Sequence, residues 1–247
     1  MLLLDHTRGI LRDQEGRRFD PVERRWRPAR GKARGEAVTL REALRWLQRD
    51  SGQPCRVPIG LIGPRQATAR QLRCAETAGL ALSELGLTLL CGGREGVMEA
   101  ACRGVATAGG LSIGLLPDEH WDHANPYVGV PLASGIGVAR NAIIARASLC
   151  LIAIGGGTGT LSEIAFALQF GRPVLTLEGA PQVAGVFAYR DWHSLEAALC
   201  RIVLGLEPKE SAVADKSEAA AVPAARRPRP RGYGARAPRT VGRKTSR

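Results

Sequence analysis

Lysine is missing from the middle of this 247-residue sequence: its four lysines are Lys32, Lys209, Lys216 and Lys244, so none falls between residues 33 and 208. A Walker-type phosphate loop needs a Gly-Lys-Ser/Thr run, and pyridoxal phosphate needs a lysine amine for its Schiff base, so both are excluded from that stretch. Aromatic residues make up only 4% of the chain, which disfavours a stacking platform for single-stranded nucleic acid. The six cysteines include no CxxC pair, so neither a zinc knuckle nor a disulfide framework is indicated. Cys91 and Cys150 sit in apolar strand-like runs, where thiols act as small core residues. The longest clean apolar run, 149–154, falls far short of the roughly 18 to 20 residues of a membrane helix. The opening MLLLDHTRG has no basic segment ahead of its leucines and does not read as a secretory leader, so a cytoplasmic protein is expected.

Positive charge is plentiful but confined to the ends. The net charge is +12; residues 1–53 hold 13 Lys+Arg against 8 Asp+Glu, residues 54–208 hold 11 against 12, and residues 209–247 hold 11 against 3. The chain therefore divides into an Arg-rich extension (1–53), a near-neutral domain (54–208) and a Pro/Arg-rich tail (209–247) with almost nothing to bury, expected to be disordered. A solvated tail without a partner satisfies that composition; a weak electrostatic grip on nucleic acid or another polyanion is its functional alternative. The extension shows Arg-rich turns, a hairpin signal at 13–16, and one amphipathic helix opened by Thr39 and Glu42, with Leu40, Leu44 and Leu47 on one face.

From residue 57 onward, short β-rich runs alternate with helical stretches. Strands are predicted at 57–62, 87–91, 111–116, 128–132, 149–154, 173–177 and 186–189, and helices at 69–85, 96–108, 138–147, 161–170 and 195–204. This is the signature of a three-layer, Rossmann-like, doubly wound α/β fold with a mostly parallel sheet and helices on both faces.

In such sheets ligands bind beyond the carboxyl ends of the strands, where helix N-termini present free N–H groups. Three glycine-rich turns occupy those places: GPRQAT from Gly63, Pro64 and Arg65; GGREG with Gly92, Gly93 and Gly96; and GGGTGT with Gly155, Gly156, Gly157, Thr158, Gly159 and Thr160. Backbone without Cβ atoms can approach a phosphate closely, so a phosphate-bearing ligand follows. The dinucleotide fingerprint GxGxxG fails, because Ser162 stands where its third glycine belongs. Beside the third turn lie Glu163, which is also spaced for a capping box with Thr160, and Arg140, which reads equally as a surface arginine. Arg65 and Arg94 are phosphate clamps or solvated side chains. Asp118, Glu119, His120, Asp122 and His123 form a metal-like cluster that reads better as a polar loop, and no metal site is assigned.

GGGTGTLSE closely resembles the PGGxGTxxE motif of the Lonely Guy (LOG) phosphoribohydrolases, and residues 92–117 resemble that family's GGGxxGLMGxxAxxAxxxGGxVIGVxP segment, which adds Met98 to the candidate ligand-binding set. Arg140 lies 23 residues before Glu163, the family's spacing between its Arg and motif Glu. The resemblance covers about residues 56–205 and extends to the broader SLOG superfamily of Rossmann-like nucleotide-binding proteins, which includes the DNA-processing protein A family. Two departures stand out: Gly155 replaces the motif proline, and the family's MHxRK reads Gly137, Val138, Ala139, Arg140, Asn141. With IGLIGP at the start, the chain looks most like the cluster 4 branch, which includes the molybdenum cofactor carrier protein.

The resemblance implies a homo-oligomer, dimer or tetramer, that binds a nucleotide-like small molecule. If the LOG chemistry carries over, a nucleoside 5′-monophosphate is cut to free base and ribose 5-phosphate without a cofactor. Gly156, Gly157, Gly159 and Thr160 would then cradle the phosphate, Glu163 would stabilise charge developing on the ribose, and Arg140 would act on the leaving side or the phosphate. The alternative is a non-catalytic carrier or sensor of a nucleotide or the molybdenum cofactor; a third reading is single-stranded nucleic-acid binding. The lysine-free core argues against the lysine decarboxylase label that related sequences often bear.

Overall fold

The computed structural model describes residues 1–31 and 34–208, so the expectations for the tail at 209–247 fall outside the described residues. Where the sequence suggests only turns and one hairpin, the extension folds into a five-stranded antiparallel sheet. Strands β1 (Leu2–Asp5), β2 (Ile10–Asp13), β3 (Arg17–Asp20), β4 (Arg25–Pro28) and β5 (Glu36–Val38) run in the order β4-β3-β2-β1-β5. The predicted hairpin is the β2–β3 turn, where the Asp13 carboxylate accepts the backbone N–H groups of Glu15 and Arg17 at 3.0 and 2.8 Å. Alternation puts Leu2, Leu4, Leu11 and Phe19 inside. Helix α1 (Leu40–Arg49) starts at the Thr39/Glu42 capping box and buries Leu44 and Leu47.

The second sheet carries the predicted strands, trimmed by a residue or two: β6 (Ile59–Ile62), β7 (Leu89–Cys91), β8 (Ser112–Leu116), β9 (Val130–Ala133), β10 (Leu151–Ile154), β11 (Val174–Leu177) and β12 (Phe187–Ala188). All neighbours are parallel, in the order β12-β11-β10-β6-β7-β8-β9. The helices are α2 (Ala69–Glu84), α3 (Val97–Thr107), α4 (Arg140–Ala147), α5 (Thr158–Gln169) and α6 (Trp192–Val203).

Two cores follow from the two-residue period of the strands. Ile59, Leu61, Ile152 and Ile154 face α1, α2, α3 and α6, whereas Ile62, Leu151 and Ala153 share a separate core with Ile144 of α4 and Ile164 of α5. The expected three-layer α/β architecture is therefore present, with α1 joining one outer layer. Arg41 of α1 bonds Glu84 and Glu196, and the Trp26 indole N–H donates to the Leu204 carbonyl at 2.7 Å. The chain lays down β6 to β9 on one side and then returns to place β10 against the free edge of β6. The crevice of this topological switch opens between the carboxyl ends of β6 and β10.

Candidate functional site

Each of the three glycine turns leaves a strand at that crevice, and they touch. Gly63 follows β6 so tightly that a Cβ would press on the Ile154 carbonyl and on Val97. Gly96, at φ +73, lies where a Cβ would overlap the Pro64 and Arg65 carbonyls, and the Val97 N–H donates to the Pro64 carbonyl at 3.1 Å. A left-handed residue without a side chain is what that junction of the first two turns requires. The third turn meets α2: a side chain at Gly155 would run into the Gln71 amide, whose Nε2 donates to the Glu178 carbonyl at 3.1 Å.

Glu163 and Arg140 meet at the centre of this arrangement. The Arg140 Nη1 donates to the Glu163 Oε1 at 2.9 Å, with both side chains about nine-tenths buried. A Cβ at Gly92 would overlap the Arg140 guanidinium and the Met98 sulfur, so the second turn forms one wall of the ion pair. The capping-box reading of Glu163 fails. Helix α5 begins at Thr158 rather than at 161, its N-cap Gly157 makes no side-chain cap hydrogen bond, and the Glu163 carboxylate turns to Arg140 instead. Burial raises the Glu163 carboxyl to about 7, and the charge and hydrogen bond of Arg140 only partly offset it.

The start of α5 is an open donor array. Gly157, Thr158 and Gly159 are exposed, Gly156 sits at φ +137 against the Thr160 side chain, and the first turn of a helix leaves N–H groups without intrahelical partners. Two buried donors remain nearby in the second turn and α4: the Nε atoms of Arg94 and Arg140 have no hydrogen-bond partner among the described residues. Arg94 pairs with Asp118 at 2.7 Å, whereas Arg65 is exposed and only loosely paired with Glu95 at 3.8 Å. Asp118 also meets His123 at 3.3 Å; no group of three or more His, Cys, Asp or Glu among the described residues is placed to hold a metal ion.

Two positioning roles were not visible from sequence, although Asn141 stood out there as a departure from the motif. Asn125 ties down the second turn by donating to the Gly93 and Arg94 carbonyls at 3.2 and 3.1 Å, from a loop with no pattern of its own. Asn141, in place of the lysine that the motif would supply, donates to Ser162 Oγ at 2.9 Å, and Ser162 in turn donates to the Gly159 carbonyl at 2.7 Å.

Comparison with known proteins places this crevice in context. The model of the SLOG cluster4 family matches residues 56–199. The molybdenum cofactor carrier protein of Chlamydomonas reinhardtii is 33% identical, with a TM-score of 0.56 over 60% of this chain and 99% of that one. The molybdenum cofactor binding protein of Rippkaea orientalis is 41% identical, with a TM-score of 0.49 over 50% of this chain and 77% of its own. An uncharacterized protein of Archaeoglobus fulgidus is 39% identical over 128 residues, 52% of this chain and 84% of its own length.

Proposed function

Because the chain belongs to the SLOG cluster4 family, we propose that it is a carrier, which holds a phosphate-bearing pterin cofactor or nucleotide in the crevice and releases it unchanged. The observation that carries this reading is the buried Arg140–Glu163 pair at 2.9 Å. A carboxylate that must stabilise an oxocarbenium-like transition state has to be ionised and turned to the ribose. Glu163 is instead engaged with Arg140 in a buried pair, and burial raises its carboxyl to about 7, which disfavours the charged form. The likeness to the Chlamydomonas carrier protein over nearly all of that chain supports a pterin cargo.

The residues present suit such a cargo. The N–H groups at the start of α5, with Gly156, Gly157, Gly159 and Thr160, would take a phosphate, and the unpartnered Nε atoms of Arg94 and Arg140 would add charge to its surroundings. Gly92, Gly93 and Met98 would form the wall opposite. The same reading includes a dimer or tetramer, supported by the exposed apolar side chains of Ile136, Val138 and Ile143 beside Arg140.

One observation favours a second reading, N-glycosidic hydrolysis of a nucleoside 5′-monophosphate: a buried carboxyl raised to about 7, one turn into a helix whose N-terminus has no side-chain cap, lies close to where a bound ribose phosphate would sit. Incubating the full chain with a panel of nucleoside 5′-monophosphates, with Glu163→Gln alongside, separates the two. The carrier reading expects no free base and a bound ligand in native mass spectrometry; base release by the wild type and not by Glu163→Gln would replace it with a hydrolase.

A further inference from the structure

We propose a second anion site at the opposite end of the parallel sheet, where the chain would bind a small phosphorylated molecule carrying two or more negative charges. Four arginines from four separate segments line one cavity of about 310 Å³: Arg24 from the turn before β4, Arg56 ahead of β6, Arg146 in the last turn of α4, and Arg172 ahead of β11. Val57 and Leu149 supply apolar lining. The cavity lies at the amino ends of β6, β10 and β11, a strand length of roughly 13 Å from the glycine turns.

No acidic side chain lines this cavity beside its four arginines. Arg27, Arg41, Arg70, Arg94, Arg103 and Arg140 each pair with a carboxylate. None of the cavity's four does so among the described residues. Neutral groups hold three of them in place instead. Arg24 Nη1 donates to Cys55 Sγ at 3.1 Å, from a backbone held at φ 51. The Arg146 guanidinium sits 4.9 Å from the Phe170 ring centroid, and Arg172 Nη2 donates to the Arg146 carbonyl at 3.1 Å while its Nε is buried and unpartnered. Like charges gathered without a counter-charge repel one another, and a bound anion removes that cost.

Guanidinium groups match phosphate oxygens in planar, two-pronged geometry. A nucleic-acid strand calls for a basic groove that tracks its backbone, whereas these arginines converge on one concavity of mononucleotide size. Arg24 belongs to the N-terminal extension and the other three to the parallel-sheet domain, so a ligand here would tie the two together.

Inorganic pyrophosphate, added to the full chain at low salt, tests this. It should raise the melting temperature and slow hydrogen exchange at the backbone amides of Arg56, Val57 and Leu149. The double variant Arg56→Gln/Arg146→Gln should lose pyrophosphate affinity by roughly tenfold or more. Without ligand, Arg56→Gln alone, at an exposed position, should melt no lower than the wild type, since it removes repulsion and no ion pair; the double variant also forfeits the Arg146 contact with the Phe170 ring, so its affinity is compared with that of Arg56→Gln. Equal pyrophosphate affinity in wild type and variants, or protection confined to residues 155–160, would overturn the proposal. So would a single-stranded oligonucleotide that gives the same protection at lower concentration.

Discussion

Glu163 is the residue on which most of the site's chemistry turns, and it carries a testable pH signature. In the folded chain its carboxyl keeps its proton up to about 7, whereas an unfolded glutamate releases it near about 4.3. Between those values the folded state binds more protons than the unfolded one, so raising the pH through this window weakens the fold, by roughly 3 to 4 kcal/mol in full. Glu163→Gln removes that dependence. Denaturant unfolding of both proteins at several pH values from 5 to 8 should show the wild type losing ground to the variant as pH rises; a constant difference would mean that the carboxyl titrates normally. Arg140 and Glu163 were legible as candidates, but their pairing was not, because the three-residue spacing of Thr160 and Glu163 equally satisfies a helix cap and only tertiary packing decides between them. The cysteines were easier to read. Burial raises Cys150 and Cys200 to about 12, which keeps them thiols and suits core residues.

At the scale of elements, Gln71 couples three pieces of backbone. Its Oε1 accepts the Thr68 N–H at 3.0 Å in the α2 capping box, its Nε2 donates to the Glu178 carbonyl after β11, and its amide packs on Gly155 after β10. Gln71→Ala should cost about 1 to 2 kcal/mol in thermal or denaturant unfolding. It should also weaken whatever ligand the third turn binds, which a titration of the variant would detect; full affinity in a destabilised variant would limit Gln71 to a helix cap. The capping box itself was visible in the sequence, and so were the main-sheet strands, of which β6, β7 and β10 are apolar runs closed by glycine. The N-terminal sheet was missed because its strands place arginine on their outer faces, as in Arg17–Asp20 and Arg25–Pro28, and so lack the continuous apolar runs of the parallel strands. Its clue was the pair of glycines at 9 and 16, which bracket the short run that becomes β2.

Across the whole molecule, the extension and the parallel-sheet domain share one core. Leu4, Leu11, Phe19, Leu44 and Leu47 belong to the same buried cluster as Leu82, Leu85 and Leu199. Calorimetry of the full chain should therefore show a single unfolding transition, and a chain beginning at residue 54 should aggregate or melt well below it because that apolar surface is laid bare. Two resolved transitions would mean that the halves fold separately. The sheet order has a consequence for synthesis. The N-terminal sheet pairs β1 to β4 in sequence order and closes when β5 returns to β1, so all its strands are present once residue 38 has left the ribosome, but β6 gains its second neighbour only when β10 arrives about ninety residues later. Until α6 follows, the part of α1 that packs on it waits uncovered, and Trp26 finds the Leu204 carbonyl last of all. The nascent chain is thus most in need of protection by chaperones in the interval between its first finished sheet and its last helix.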